Sequence, residues 1–201
     1  MRALAALVLA GCVQLDPSKP IELVPDPTWS ADDAATLANA AACWNLQFGT
    51  QLDVVAAPSG VQTVFVHYDV LACWGSWARY MPGEPTHVAV CPVDDMIVQN
   101  ERMHYNYEPA VLLFTVLQHE LGHAVGVLGT NRDGESVMGP NFEPTFAYRD
   151  LSGGGNGFFA AFGELDFQLV HDAAPSFVAH PACARVGFAL AAPGELACVC
   201  P

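Results

Sequence analysis

His119-Glu120-Leu121-Gly122-His123-Ala124-Val125-Gly126 is the stretch on which the reading of this chain turns. It has the form H-E-x-x-H, with a glycine three residues beyond the second histidine. On a helix His119 and His123 lie one turn apart on one face, where two imidazoles can share a single ion. Neutral imidazole suits Zn2+, and a structural zinc site usually fills its remaining positions with Cys or His. Here the first histidine is followed by a glutamate, the kind of group that takes a proton from a metal-activated water. Two histidines and a glutamate also meet on helices by accident, so the surrounding sequence has to decide.

The surroundings are consistent with a buried helix over Pro109 to Val127. A proline is acceptable in its first turn, Val111 to Leu117 is apolar nearly all round, and Gly126 and Gly129 terminate it. Downstream, Asn131 to Pro144 is turn-rich and encloses Ser136-Val137-Met138. Ser152 to Gly157 is a glycine loop, and Phe162 to Val170 predicts a last helix. Upstream, Ser30 to Asn45 predicts a helix, with Ser30 as N-cap and Asp33 placed for a near-capping box. Its Leu37, Ala40, Ala41 and Trp44 recur at helical spacing towards the core, and Gly49 marks its end. Gln62 to Tyr68 and His87 to Cys91 read as strands, and Cys73 to Pro85 between them as an irregular loop. Ala173 to Pro201 reads as an irregular tail with three cysteines.

A chain of 201 residues, 52% hydrophobic, fits one domain with short appendages and a sizeable core. Seven basic residues against 21 acidic give a formal charge of −14. That balance argues against nucleic acid or an anionic membrane surface as partner, both of which need basic patches. The first residues read as an export signal: Arg2 is a minimal positive region, and Ala3 to Ala10 is an apolar run too short to span a bilayer. Leu9-Ala10-Gly11-Cys12 resembles the bacterial lipoprotein signal. That resemblance implies removal of residues 1–11, a lipid on Cys12, and a place in the bacterial cell envelope, on the outer membrane or cell surface; ordinary secretion is the alternative. Residues 12–28, with four prolines and little periodicity, read as a tether. Without Cys12, six cysteines remain (Cys43, Cys73, Cys91, Cys183, Cys198 and Cys200), an even number that suggests three disulfides in an exported chain. Three lie in each half and Cys198 is too close to Cys200 to pair without strain, so full pairing requires a bridge between body and tail.

Taken in order, the elements resemble those of the metzincin metalloproteases, the matrixin-like members above all, over roughly Trp29 to Asp172. Ala41-Ala42-Cys43-Trp44-Asn45 is similar to the end of that family's first helix, His119 to Gly126 to its zinc signature, and Ser136-Val137-Met138 to its methionine turn. The resemblance implies an α+β fold of zincin type. A twisted, mainly parallel sheet would pack with two long helices, the zinc helix would lie in a cleft, and a small irregular C-terminal lobe would carry the methionine turn and the final helix. Residues 29–172 would form the catalytic domain and 173–201 a disulfide-stapled tail. His119 and His123 would bind Zn2+, Glu120 would act as general base, and Met138 would floor the site without ligating. The activity implied is that of a zinc endopeptidase, a monomer cutting protein or peptide by attack of zinc-bound water. Many members bind structural calcium, which the acidic composition permits, but no Asp/Asn cluster places such a site.

The chain departs from the pattern where the signature, H-E-x-x-H-x-x-G-x-x-H or D, calls for its third ligand. That position is Gly129, which has no side chain to offer. An insertion would move the ligand into Thr130 to Asp133, where Asp133 is the strong zinc ligand; Asp133-Gly134 is also a favoured turn dipeptide. Glu164 could complete the site in the manner of thermolysin-like enzymes. His67, His87, His104, His171 and His180 read as surface or core residues, His104 lying just before the zinc helix. Without a third ligand the chain would be a catalytically inactive, lipid-anchored binding protein. Pro140 stands where some metzincins carry a metal-side tyrosine. Trp74, Trp77, Tyr80, Tyr105, Tyr107 and Tyr148 are expected in core packing or along a substrate groove.

Overall fold

A computed structural model describes residues 15–74, 77–102, 109–127, 137–138, 187–192 and 195–199. The signal region and Cys12 lie outside them, as do Gly129, Asp133, Glu164, His104 and the expected last helix. The chain is α+β. Strands β1 (Ile21–Pro25), β2 (Leu52–Val54), β3 (Gln62–Tyr68), β4 (Ala78–Met81) and β5 (Thr86–Val90) form one sheet in the order β2-β1-β3-β5-β4. β1, β2, β3 and β5 run parallel, and β4 joins β5 antiparallel as an edge strand.

Helices α1 (Ala31–Phe48) and α3 (Pro109–Ala124) pack on one face of this sheet and against each other, with α2 (Val93–Arg102) beside α3. Alternation along the strands sends Ile21, Leu23, Val64, Val66, Val88 and Val90 into the core they share with Leu37, Trp44, Phe114 and Leu117. α1 begins at a full capping box: Ser30 Oγ accepts from the Asp33 N–H, and the Asp33 carboxylate accepts from the Ser30 N–H. It runs to Phe48 and ends where Gly49 takes a left-handed conformation, φ 67°. α3 ends before Gly126, whose φ is 100°.

The sheet claims segments that the sequence pattern left irregular. Residues 12–28 read as a tether, but β1 arises inside that stretch and is an interior strand between β2 and β3, with Ile21 to Val24 all buried. The fixed chain begins earlier still, where the Asp16 N–H and the Gln62 side chain are hydrogen-bonded and Leu15 is buried. The loop read over Cys73 to Pro85 contains β4, held to β5 from Ala78↔Val90 to Met81↔His87. The tail read as irregular contains a hairpin of β6 (Gly187–Ala192) and β7 (Glu195–Val199). β7 lies against α1 and α3.

Cys73 and Cys91 are joined by a disulfide, pinning the turn after β3 to the end of β5. Cys43, on α1, is also disulfide-bonded. Its partner lies outside the described side chains. Since Cys73 and Cys91 pair with each other, it is not one of those two.

Asn45 ties α1 to β2. Its Oδ1 accepts from Thr50 Oγ1 at 2.8 Å and from the Leu52 N–H at 2.9 Å, while its Nδ2 donates to the Leu52 carbonyl at 2.9 Å. Replacing Asn45 with Ala leaves two backbone groups and a hydroxyl without these partners in a partly buried turn. Asn45→Ala is expected to lower stability by about 2–3 kcal/mol, read as a lower denaturant midpoint with unchanged slope.

Candidate metal centre

His119, Glu120 and His123 occupy the last turns of α3, where the helix is packed between α1, α2 and β4. The two imidazoles stand edge-on, with ring centroids 4.9 Å apart and an interplanar angle of 90°. Each ring is oriented through its Nδ1. His119 Nδ1 lies 2.7 Å from the Val137 carbonyl oxygen, and His123 Nδ1 is bonded to the Val127 carbonyl oxygen. A carbonyl only accepts, so in both rings Nδ1 carries the proton and Nε2 is the lone-pair nitrogen. This is the arrangement by which ligating histidines are held for a metal.

Burial also keeps the rings unprotonated. It pushes His119 down to about 4 against the bond that the ring donates to the Val137 carbonyl, with the neighbouring His123 pushing the same way. Burial lowers His123 as well, opposed by its bond to Val127. Neutral imidazole is the ligand form, so the pair is ready to bind at neutral pH without losing protons.

Glu120 is buried, 6% exposed, and points to a different role. Removal from water pushes its carboxyl up to about 7, opposed by the backbone N–H of Tyr80, which donates to it. β4 is an edge strand, so half of its backbone N–H groups face away from β5, and that of Tyr80 meets Glu120. Oε2 of Glu120 has no hydrogen-bond partner. A carboxyl titrating near neutrality, held at one oxygen and unpartnered at the other, suits a general base. The Tyr80 ring sits 6.0 Å from that of His123, which places β4 along the side of the site.

Met138 is fully buried, next to Val137 in sequence, and lies against Gly122 of α3. Gly122 is what lets it approach. A Cβ on Gly122 would fall 2.3 Å from Met138 Sδ and 3.0 Å from both Met138 Cε and Trp44 Cζ2. Trp44 in turn donates from Nε1 to the Gln118 carbonyl at 3.0 Å, and Gln118 Nε2 donates to the Ala40 carbonyl at 2.9 Å. Thus α1, the ligand-bearing turn of α3 and the Val137–Met138 turn meet at one point.

His119, Glu120, His123 and Met138 are therefore brought together, and these residues fit a Zn2+ ion as two nitrogen ligands. Among the described residues no group of three or more His, Cys, Asp and Glu side chains is gathered at metal distance. The candidate third-ligand positions Asp133 and Glu164, and Gly129, lie outside the described residues. His67 and His87 lie on strands of the sheet rather than on α3. Of the aromatic candidates, Tyr80 borders the site, Trp77 packs partly buried against the core, and Trp74 is 76% exposed. The carbonyls of Val127 and Val137 and the N–H of Tyr80 carry no sequence signal, because any residue supplies them. Gly122 does carry one, as the smallest residue on a helix between two histidines.

Gly122→Ala tests this packing. The new methyl group must displace a fully buried Met138 or a rigid Trp44 ring, a strain of about 1–3 kcal/mol. The expected outcome is a lower unfolding midpoint together with weaker Zn2+ binding, measured by competition with a chromophoric chelator.

No protein-family model and no curated protein matches this chain, so the reading of the site stands on its geometry.

Proposed function

We propose that the protein is a zinc-dependent endopeptidase of the zincin type, and that residues 29–172 hold its catalytic machinery. The observation that carries this reading is the pairing of two carbonyl-oriented histidines with a buried glutamate that has one oxygen unpartnered. A site built only to hold an ion has no need of that glutamate. His119 and His123 would hold the metal through Nε2, with Asp133 as the proposed third ligand. Zn2+, when bound, supplies Lewis acidity that acidifies a water and polarises a carbonyl.

The chain's own groups do the rest. Glu120 accepts the proton of the attacking water and delivers it to the leaving amine. The Tyr80 N–H holds the carboxylate while it is charged. Met138 and Trp44 close the floor behind the rings. The edge strand β4 lies beside the site, a place where an extended chain can align, which favours protein or peptide as substrate. A lipid on Cys12 would hold the enzyme at a membrane of the bacterial cell envelope.

Glu120→Gln is expected to abolish caseinolytic activity while retaining zinc. Asp133→Ala is expected to lose zinc, and full zinc retention in that variant would remove it from the ligand set. Wild-type protein that binds zinc yet hydrolyses nothing would replace the enzyme with an inactive binding protein of the same fold. For the anchor, Cys12→Ser is expected to release the protein from membranes.

The raised carboxyl also fixes a sign for stability. In the metal-free protein the folded state favours protonated Glu120. This contribution is full below the ordinary value of 4.5 and is lost as pH rises through about 7. Glu120→Gln removes that dependence. Metal-free variant and wild type should be similarly stable near pH 4.5, with the variant ahead by about 3 kcal/mol at pH 8. Denaturant unfolding at the two pH values reads this difference.

A further inference from the structure

We propose a second transition-metal site on the opposite face of the sheet, formed by His67 of β3 and His87 of β5 with Met81 of β4 beside them, and suited to copper. The proposal is independent of the protease reading, since it shares no residue with the α3 site.

Placement comes from register. Val64, Val66, Val88 and Val90 face the core under α1 and α3, so the alternating Phe65, His67, His87 and Ala89 face the other way. Phe65 pairs with His87 and His67 with Ala89, which sets the two imidazoles diagonally across adjacent parallel strands. Met81 lies directly opposite His87 in the antiparallel β4–β5 pair, and directly opposed residues share a face. Met81 is 38% exposed, so its side chain is not packed away in the core.

The geometry repeats that of the α3 pair. The His67 and His87 rings stand edge-on with centroids 5.2 Å apart at 86°, against 4.9 Å and 90° for His119 and His123. Phe65 walls the other side, its ring centroid 5.6 Å from that of His87. One feature differs. The Nδ1 atoms of the α3 histidines bond to carbonyls, whereas His87 Nδ1 is buried with no hydrogen-bond partner. A buried ring nitrogen left this way is costly, and a coordinated ion would orient the ring that the protein leaves unfixed.

The ring nitrogens rather than the local charge would hold an ion here, since Arg79, opposite Ala89 on β4, lies on this same face. Burial, reinforced by the charge of His67, lowers His87, so its ring is in the neutral ligand form at neutral pH. Asp26, at the end of β1, is close enough to feel the charge of His67. Its carboxylate is held ionised first by the Thr28 hydroxyl and N–H and then by His67. Asp26 supplies charge rather than a bond, because the described residues contain no cluster of three His, Cys, Asp or Glu ligands. The third donor is then the Met81 sulfur. Two imidazoles and a thioether are a soft set, and among divalent first-row ions Cu2+ binds nitrogen sites most strongly, while thioether favours Cu+.

The test uses purified full-length protein stripped of metal and titrated with Cu2+, and with Cu+ under reductant, followed by calorimetry and, for Cu2+, by electron paramagnetic resonance. Wild type is expected to bind one more equivalent of Cu2+ than His67→Ala, with nitrogen hyperfine structure that the variant lacks. The His119→Ala/His123→Ala double variant should keep that equivalent. Met81→Leu should keep Cu2+ but weaken Cu+ by at least about tenfold. His67 is on the sheet surface, so His67→Ala carries the test even if His87→Ala fails to fold; circular dichroism checks the fold of each variant. Equal copper stoichiometry in wild type and folded His67→Ala would overturn the proposal and leave the pair as edge-to-face packing. Loss of all copper in the α3 double variant, if folded, would overturn it too.

Discussion

The close approach that Gly122 allows is the constraint on which the rest of the site depends. A side chain as small as a methyl group at this position would meet both the Met138 sulfur and the Trp44 ring. With hydrogen there instead, three pieces distant in sequence touch: the end of α1, the ligand-bearing turn of α3, and the turn at Val137 and Met138. The same turn that carries Met138 offers the Val137 carbonyl to His119. Packing and ring orientation are thus two results of one contact, and disturbing either disturbs the other. This kind of coupling is expected where a buried site is built at native packing density.

The parts of the molecule legible in the sequence are those whose signal is local. α1 carries a capping box, helical spacing and a glycine stop, so its start was readable to the residue, although it runs three residues beyond the predicted Asn45. β3 alternates cleanly and has the predicted limits. What was missed depends on partners. β1 is five residues between prolines and buried on both faces, so it shows no alternation; only pairing with β2 and β3 makes it a central strand. β4 has four residues in a loop rich in turn formers, and α2 is short, with one fully buried large side chain, Met96, among those described. The hairpin of β6 and β7 did leave a trace, Pro193-Gly194 between two apolar runs, but the cysteines drew the reading towards a stapled tail.

At the site the division follows the same line. His119, Glu120, His123 and Met138 could be picked out because their side chains have a particular chemistry at a particular spacing. The groups that hold them are backbone atoms of Tyr80, Val127 and Val137, which no substitution pattern reveals. Trp44 and Asn45 show the reverse. Their adjacency carries part of the resemblance, and the structure gives each a physical task, Trp44 bonding to α3 and Asn45 to β2.

The early start of the fold has a consequence for how the protein would work in place. Asp16 is already fastened to Gln62 at the entry of β3, and Leu15 is buried. With a lipid on Cys12, only Val13 and Gln14 would separate the anchor from the buried Leu15, a span of about 10 Å at full stretch. Such a domain does not sweep a volume around its attachment point. An anchor at Cys12 would hold the domain close to the bilayer with the amino-terminal ends of β1 and β3 on the anchored side, while β4 lies at the far edge of the sheet. For the anchored peptidase proposed above, substrate selection would then be partly a matter of height: chains passing within a domain's width of the membrane would be within reach, and those further out would not.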